Sequence, residues 1–359
     1  MRLVDSAPSR RDASVVICTV NRPILLRKAV ASVERQRNLL GLDYEIVVVD
    51  NSAEGRWREL VAELSERGKV PIRYVGEPRM SFAFSRNAGV RAATGDLVAF
   101  LDDDEEASPD WLDRLVETLR RFDADVVFGP VLPVFEGGRP PSWDPEGRHY
   151  TRDPEAPTGA EVGPRGTGNA LIKRATCLQE AEPFAQHFGS SGGEDLDFFM
   201  RLRRRGRELV WCATAQVTEV QPESSLSLSH RSFRVFCLNQ TYVKVRTRNA
   251  GMPPLLTAYL MAVGAAQVLI YALPAAASWL SPKRPFIGAR FKLCGGLGKL
   301  LWMLPSRLYA GRYGAGRKAV AASPGQDRPA TTAADDGGQG IRPRTPTEAE
   351  PPSAKRLAR

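Results

Sequence analysis

Residues 94–111 read TGDLVAFLDDDEEASPDW, and no other stretch constrains the chain as tightly. Residues 97–101 are a short apolar run, the pattern of a strand buried on both faces. Directly behind it stand Asp102, Asp103 and Asp104, then Glu105 and Glu106. Five adjacent carboxylates repel one another, so they must be solvated or neutralised by cations. The carboxyl end of a strand is where open α/β sheets bind ligands. Hard oxygen groups of this kind suit Mg²⁺ or Mn²⁺, which can bridge the phosphates of a nucleotide. On these residues alone a second reading stands beside the first, an acidic turn leading into a helix that starts near Ser108 and Pro109.

The flanking sequence places that stretch in a layered α/β fold. Residues 13–20 (ASVVICTV) and 44–49 (YEIVVV) are further apolar strands, and residues 72–75 a third. Helical stripes separate them, at residues 25–36 and 56–66. Strands alternating with helices of this length predict a mostly parallel sheet with right-handed crossovers. The turn after the first strand has no GxGxxG, which excludes the usual dinucleotide fingerprint. Instead Thr19 and Asn21 end one strand, and Asp50 and Asn51 the next. Asp50 reads equally as an acceptor for ribose or base and as a helix cap. Arg86, in SFAFSRNAGVRAA, reads as a donor to an anion or as a surface arginine.

Further along, residues 111–121 form a helical stripe and 126–134 a strand broken by Gly129 and Pro130. Residues 137–166, rich in Pro, Gly and charge, are a long loop in which Trp143 and Tyr150 either stack on a sugar or pin the loop. GTGNALIK, 166–173, is a glycine turn into a strand. Gly192 and Gly193 then precede Glu194 and Asp195 at the mouth of a helix. Acids there suit the helix dipole, and a carboxylate at such a junction can also serve as a general base. His149, His187 and His230 carry no ligand pattern.

Taken in order, VVICTVNRP, VVVDNS, SRNAGVRAATGDLVAFLDDDE, GTGNALIKR and GEDLDFFMRLRRRG resemble the motifs of the family 2 inverting glycosyltransferases, over about residues 14–228. The DDDE region and the basic apolar end are similar to those of bacterial enzymes that build exopolysaccharide units on lipid carriers. The resemblance implies the GT-A nucleotide-sugar-binding fold, a Rossmann-like mixed sheet flanked by helices. It assigns Thr19, Asn21, Asp50, Arg86, Asn87, Asp102 and Asp103 to the donor. A divalent metal, Mn²⁺ or Mg²⁺, falls to Asp104 and Asp102, and catalysis to Asp195 as base beside Glu194. The QxxRW signature of processive synthases is not evident, which implies single-sugar transfer, from a UDP-linked donor to a saccharide or lipid-linked hydroxyl. Outside that class stand a sugar-phosphate nucleotidyltransferase and a non-catalytic, membrane-bound nucleotide- or sugar-binding subunit.

Charge separates the C-terminal third from the rest. The chain carries a formal net charge of +9, yet no acidic residue lies between Glu223 and Asp327. That basic window is also the most apolar part, which favours a membrane surface over nucleic acid. Residues 249–282 carry no charge at all, and their centre, LLTAYLMAVGAAQVLIYALPAAASWL, is long enough to span a bilayer or to lie in it. The expected organisation is an N-terminal arm (1–12), a GT-A domain (13–228), a helical membrane-associating region (229–320, touching the bilayer through 250–310) and a disordered tail (321–359). Five scattered cysteines predict no disulfide framework, and the N-terminus shows no secretory signal. Together these predict a membrane-bound protein with its catalytic domain in the cytoplasm and no nucleic-acid partner.

Overall fold

The computed structural model describes residues 10–188, 192–278 and 284–304. The chain opens with β1 (Arg11–Thr19), α1 (Pro23–Glu34), β2 (Tyr44–Asp50), α2 (Arg58–Arg67), β3 (Ile72–Gly76), α3 (Phe82–Ala92) and β4 (Gly95–Asp102). Strands β3, β2, β1 and β4 pair in parallel, as the alternating pattern predicts. Their apolar runs are continuous because both faces are covered. Val15, Ile17, Ala99 and Leu101 meet α1 through Leu26 and Val30 on one side. Val16, Val49, Val98 and Phe100 pack with Ala83 and Ala88 of α3 on the other.

After β4 come β5 (Glu105–Ala107), α4 (Trp111–Arg121), β6 (Val126–Phe128), β7 (Val131–Phe135), β8 (Ala170–Lys173), α5 (Arg174–Cys177), α6 (Glu194–Arg204), β9 (Leu209–Trp211) and β10 (Val217–Gln221). The main sheet runs β3-β2-β1-β4-β8-β6-β9. The sheet is mixed, as the resemblance implies, since β8 is antiparallel to both β4 and β6. The strand expected over 126–134 is two: Gly129 and Pro130 end β6 in the main sheet and send β7 into a second sheet, ordered β5-β10-β7. This small sheet stands over the carboxyl ends of β1 and β4. The result is the mixed, helix-flanked α/β sheet of the GT-A type.

Three helices follow, α7 (Leu228–Arg248), α8 (Pro253–Ala277) and α9 (Arg284–Leu300). Helix α7 is fixed to the sheet domain, where Asn249 at its end donates to Asp197 at 2.7 Å. Helices α8 and α9 approach closely at Gly264 and Gly296, where a Cβ on either would come within 2.9 Å of the other's carbonyl oxygen. Lys299 of α9 ties the three together by donating to Asn239 (2.7 Å) and Gln267 (3.0 Å). Among the described residues α8 is the one helix long and apolar enough to cross a membrane, with a mean hydropathy of 1.8. Its Leu269 and Leu273 are 80% and 84% exposed. The expected tail, 321–359, lies outside the described residues, as do residues 1–9 of the arm and 305–320.

Candidate active site

Three arginines organise the acids at the carboxyl edge of the sheet. The first is Arg22, which follows β1 and pairs with Asp104 and, at 3.1 Å, with Asp103. Thr19, at the end of the same strand, donates to Asp103 at 2.9 Å. Asp103 and Asp104 are therefore drawn together by a strand end 81 to 84 residues earlier in the chain, and both are buried.

The second arginine, Arg152, belongs to the loop between β7 and β8. It donates to Glu105 at 2.8 Å and lies 3.2 Å from Glu219. Glu105 of β5 and Glu219 of β10 face each other across the ladder, where two carboxylates repel unless a cation joins them. Burial pushes Glu105 well above the usual carboxylate range, and Asp102 pushes it further. Burial also raises Glu219. For Arg152 itself burial opposes the charge, but Glu219, Glu105, Asp102 and Asp104 more than offset it and its pKa is raised.

The third, Arg86 of α3, forms a sealed ion pair with Glu194, the side chains being 10% and 3% exposed. Burial raises Glu194 to about 7 despite its partner, and neighbouring Asp195 adds to the rise. Its Oε2 has no hydrogen-bond partner. Asp195, the next residue, is half-buried and accepts only from the Leu196 backbone at 2.7 Å among its described bonds. Gly193, φ +108°, caps α6 in a left-handed conformation, and a Cβ there would run into Thr241 of α7. Helix α7 thus sets where the acidic pair sits.

The turn at 166–169 forms the floor between these groups. A Cβ at Gly168 would come within 2.7 Å of Glu105 Oε1 and 2.9 Å of Asp102 Oδ2. One at Gly166 would sit 3.5 Å from Asp195 Oδ2 and 3.9 Å from Arg152 Nη1. Between the glycines the buried Thr167 hydroxyl has no partner. Asn169, φ +60°, holds the turn in place through Trp111 (2.7 Å), Pro130 (2.8 Å) and Ala215 (2.8 Å). Asp102, Asp104, Asp195, Arg152 and Arg86 therefore share one contiguous electrostatic site.

The geometry also gives several of the expected donor residues structural partners. Asp50 is wholly buried and accepts from Ser52 N (2.9 Å), Trp57 N (2.9 Å) and the Tyr74 hydroxyl (3.1 Å), so it caps the turn into α2. Asn87 is also wholly buried, its amide exchanging both bonds with the Phe184 backbone at 2.8 and 2.9 Å, so it is a strut. Arg86 and Glu194 neutralise each other. Asn21 is exposed beside the site, while the Thr19 hydroxyl is engaged by Asp103. Trp143 and Tyr150 pin the loop, donating to Leu226 O at 2.8 Å and Ser225 O at 3.2 Å. Arg22, Arg152, Glu219 and the two floor glycines were not singled out from sequence, and only the glycine pattern of GTGN offered a signal for any of them.

For a divalent cation the donor set is small. Among the described residues no three His, Cys, Asp or Glu side chains converge as a ready-made cage. Asp102 and Asp104 still fit such an ion, because Mg²⁺ and its like take one or two carboxylates and complete their shell with phosphate and water.

A mixed, helix-flanked α/β sheet with carboxylates at its strand ends is the class of fold in which this site sits, and comparison with known proteins gives the family. The profile described as Glycosyl transferase family 2 matches residues 14–177. "Succinoglycan biosynthesis protein ExoM" of Rhizobium meliloti is 35% identical over 237 residues, 65% of this chain and 75% of that one. "Glucosyl-dolichyl phosphate glucuronosyltransferase" of Haloferax volcanii is 32% identical over 35% of this chain and 40% of its own. The structure of S. aureus TarS 1-349 in complex with UDP covers 84% of this chain and 91% of that one, at 14% identity and a TM-score of 0.46. The chain belongs to glycosyl transferase family 2, and it is an enzyme of sugar transfer.

Proposed function

We propose that the protein transfers one sugar, with inversion, from a UDP-linked donor to a hydroxyl of a saccharide or lipid-linked acceptor in bacterial surface-polysaccharide or glycolipid synthesis. The observation that carries this is Asp195, half-buried at the mouth of α6, its Oδ2 and Arg152 Nη1 both within 4 Å of the point a Gly166 Cβ would occupy. A carboxylate placed there can take the proton of an acceptor hydroxyl as its oxygen attacks the anomeric carbon. As that bond forms, the bond from carbon to the diphosphate oxygen breaks, and a single displacement inverts the centre. Asp102 and Asp104 would hold Mn²⁺ or Mg²⁺, which when bound neutralises charge developing on the departing diphosphate. Asn21, exposed beside the site, would be a donor contact, with Asp103 behind it. Arg86 and Glu194 serve as positioning residues that fix the first turn of α6.

The membrane enters through the three C-terminal helices. Helix α8 leaves Leu269, Ile270 and Leu273 uncovered, and its neighbours carry basic residues, a pairing that suits an anionic bilayer. With the catalytic domain in the cytoplasm, a soluble donor and a membrane-held acceptor would meet above the Gly166 floor. The test is donor binding and hydrolysis across UDP-, GDP- and dTDP-sugars, with and without Mn²⁺, in wild type and Asp104→Ala. Metal-dependent turnover of one donor, lost in the variant, is expected. Dependence on a nucleoside triphosphate with pyrophosphate release would instead indicate a nucleotidyltransferase.

A further inference from the structure

Arg152 stands out once the three arginines are compared. Arg86 is sealed against Glu194, and Arg22, 27% exposed, sits on two buried aspartates. Arg152 joins Glu105 and Glu219, which are 0% and 19% exposed, yet its own side chain is 40% exposed. Part of its side chain therefore reaches solvent while its guanidinium is bonded to the two acids.

The backbone of this residue is held firmly. Arg152 N donates to Val131 O at 2.9 Å, and Val131 N donates back to Arg152 O at 3.2 Å. The loop before it is fastened to the segment preceding α7 by Trp143 and Tyr150, and to α7 itself by Arg231 donating to the His149 carbonyl and lying over the Tyr150 ring. Asp144 closes the loop on itself by accepting from Arg148 N (3.2 Å) and His149 N (2.9 Å). This is rigid presentation of a cation, the arrangement that lowers the ordering cost of binding. The position matters as much, because Arg152 Nη1 and Asp195 Oδ2 both come within 4 Å of the point a Gly166 Cβ would occupy.

Resting on the transferase reading, we propose that Arg152 grips the diphosphate of the donor, its guanidinium exchanging Glu219 for phosphate oxygens when the donor arrives. A planar guanidinium suits this exchange, since carboxylate and phosphate present the same bidentate acceptor geometry. The acids around it outnumber the cations, so a diphosphate entering without Arg152 would meet net repulsion. In the bound state Arg152 would lie opposite Asp195, so that leaving group and base are held on two sides of the reacting carbon.

Binding of inorganic pyrophosphate to the full-length chain, measured by calorimetry without metal, tests this directly. Arg152→Gln is expected to weaken binding about tenfold or more, the scale of one charge-assisted hydrogen bond. Arg152→Lys is expected to fall between, keeping the charge and losing the fork. Glu219→Gln removes the competing acid and is expected to tighten binding severalfold. A purely structural ion pair would give no such opposite signs. Wild-type affinity in Arg152→Gln, or unchanged or weaker binding in Glu219→Gln, overturns the proposal. Should Arg152→Gln fail to fold, Glu219→Gln alone decides it. A chain that binds pyrophosphate through Arg152 but no nucleotide sugar would keep the diphosphate subsite and lose the donor assignment.

Discussion

The acidic corner at 102–105 and the acidic corner at 194–195 are each built on carboxylates beside arginine, and they are neutralised in opposite ways. At 194–195 one guanidinium meets one buried carboxylate, and water is excluded from both. At 102–105 several acids share Arg22 and Arg152, and the outer cation is open to solvent. A sealed pair fixes a helix start, because removing either partner leaves a charge stranded in the interior. A shared and open set can trade partners with an incoming anion or cation. On the proposed transferase reading, one corner would hold the base in place and the other would receive the donor.

The largest expected effect is on chemistry at the sealed corner. Asp195→Asn removes the proton acceptor while keeping its size and the fixed first turn of α6. Its turnover is expected to fall by roughly 10²–10⁴, the usual scale for a general base, with pyrophosphate affinity unchanged. Single-turnover kinetics with the donor identified by the panel would show this. Near-normal turnover would move the base elsewhere and leave the two corners without their division of labour.

Next in size is the cost of opening the sealed pair. Arg86→Ala should cost about 3–5 kcal/mol at pH 8, where it takes the partner from a charged, buried Glu194. The cost should shrink toward pH 5, where Glu194 holds a proton. In the wild type, Glu194 binds its proton up to about pH 7, whereas the unfolded chain releases it near the ordinary value of 4.5. Its contribution to stability is thus fully present below pH 4.5 and is lost as pH rises through 7. Urea unfolding midpoints across that window, with Glu194→Gln as the flat reference, would reveal the slope. A pH-independent Arg86→Ala would mean that Glu194 stays charged throughout.

The two corners also differ in how far the sequence disclosed them. The acids were legible, because three consecutive aspartates after an apolar run, and Glu194 with Asp195 after two glycines, are patterns confined to a few residues. Strands β1, β2 and β4 were legible for the same local reason, each being a run of apolar side chains. The arginines were not. Arg22 meets Asp104 from 82 positions away, and Arg152 reaches Glu105 from a loop whose composition announces only irregularity. Strand direction was equally hidden, since the apolar run of β8 is the same whichever way it enters the sheet. Asp50 reads two ways because a carboxylate at a strand end serves a ribose and a turn equally well, and its three bonds show that it holds the turn.

The smallest expected effect sharpens the contrast most. Removing Arg152 also takes a guanidinium from a buried acid, Glu105, so burial alone would forecast a loss like that of Arg86→Ala. Three features argue for much less. The side chain is 40% exposed, so water reaches the place it leaves. Glu105 is already raised by burial and readily takes a proton in place of its partner. The Asp102 backbone N–H continues to donate to Glu105 at 2.9 Å. Arg152→Ala should therefore lower the stability by only about 1 kcal/mol, the scale of an exposed pair, in the same urea titration. A loss matching that of Arg86→Ala would show that both arginines are structural clamps. A loss near the smaller figure, with donor affinity reduced, would show a cation that the fold can spare and the ligand cannot.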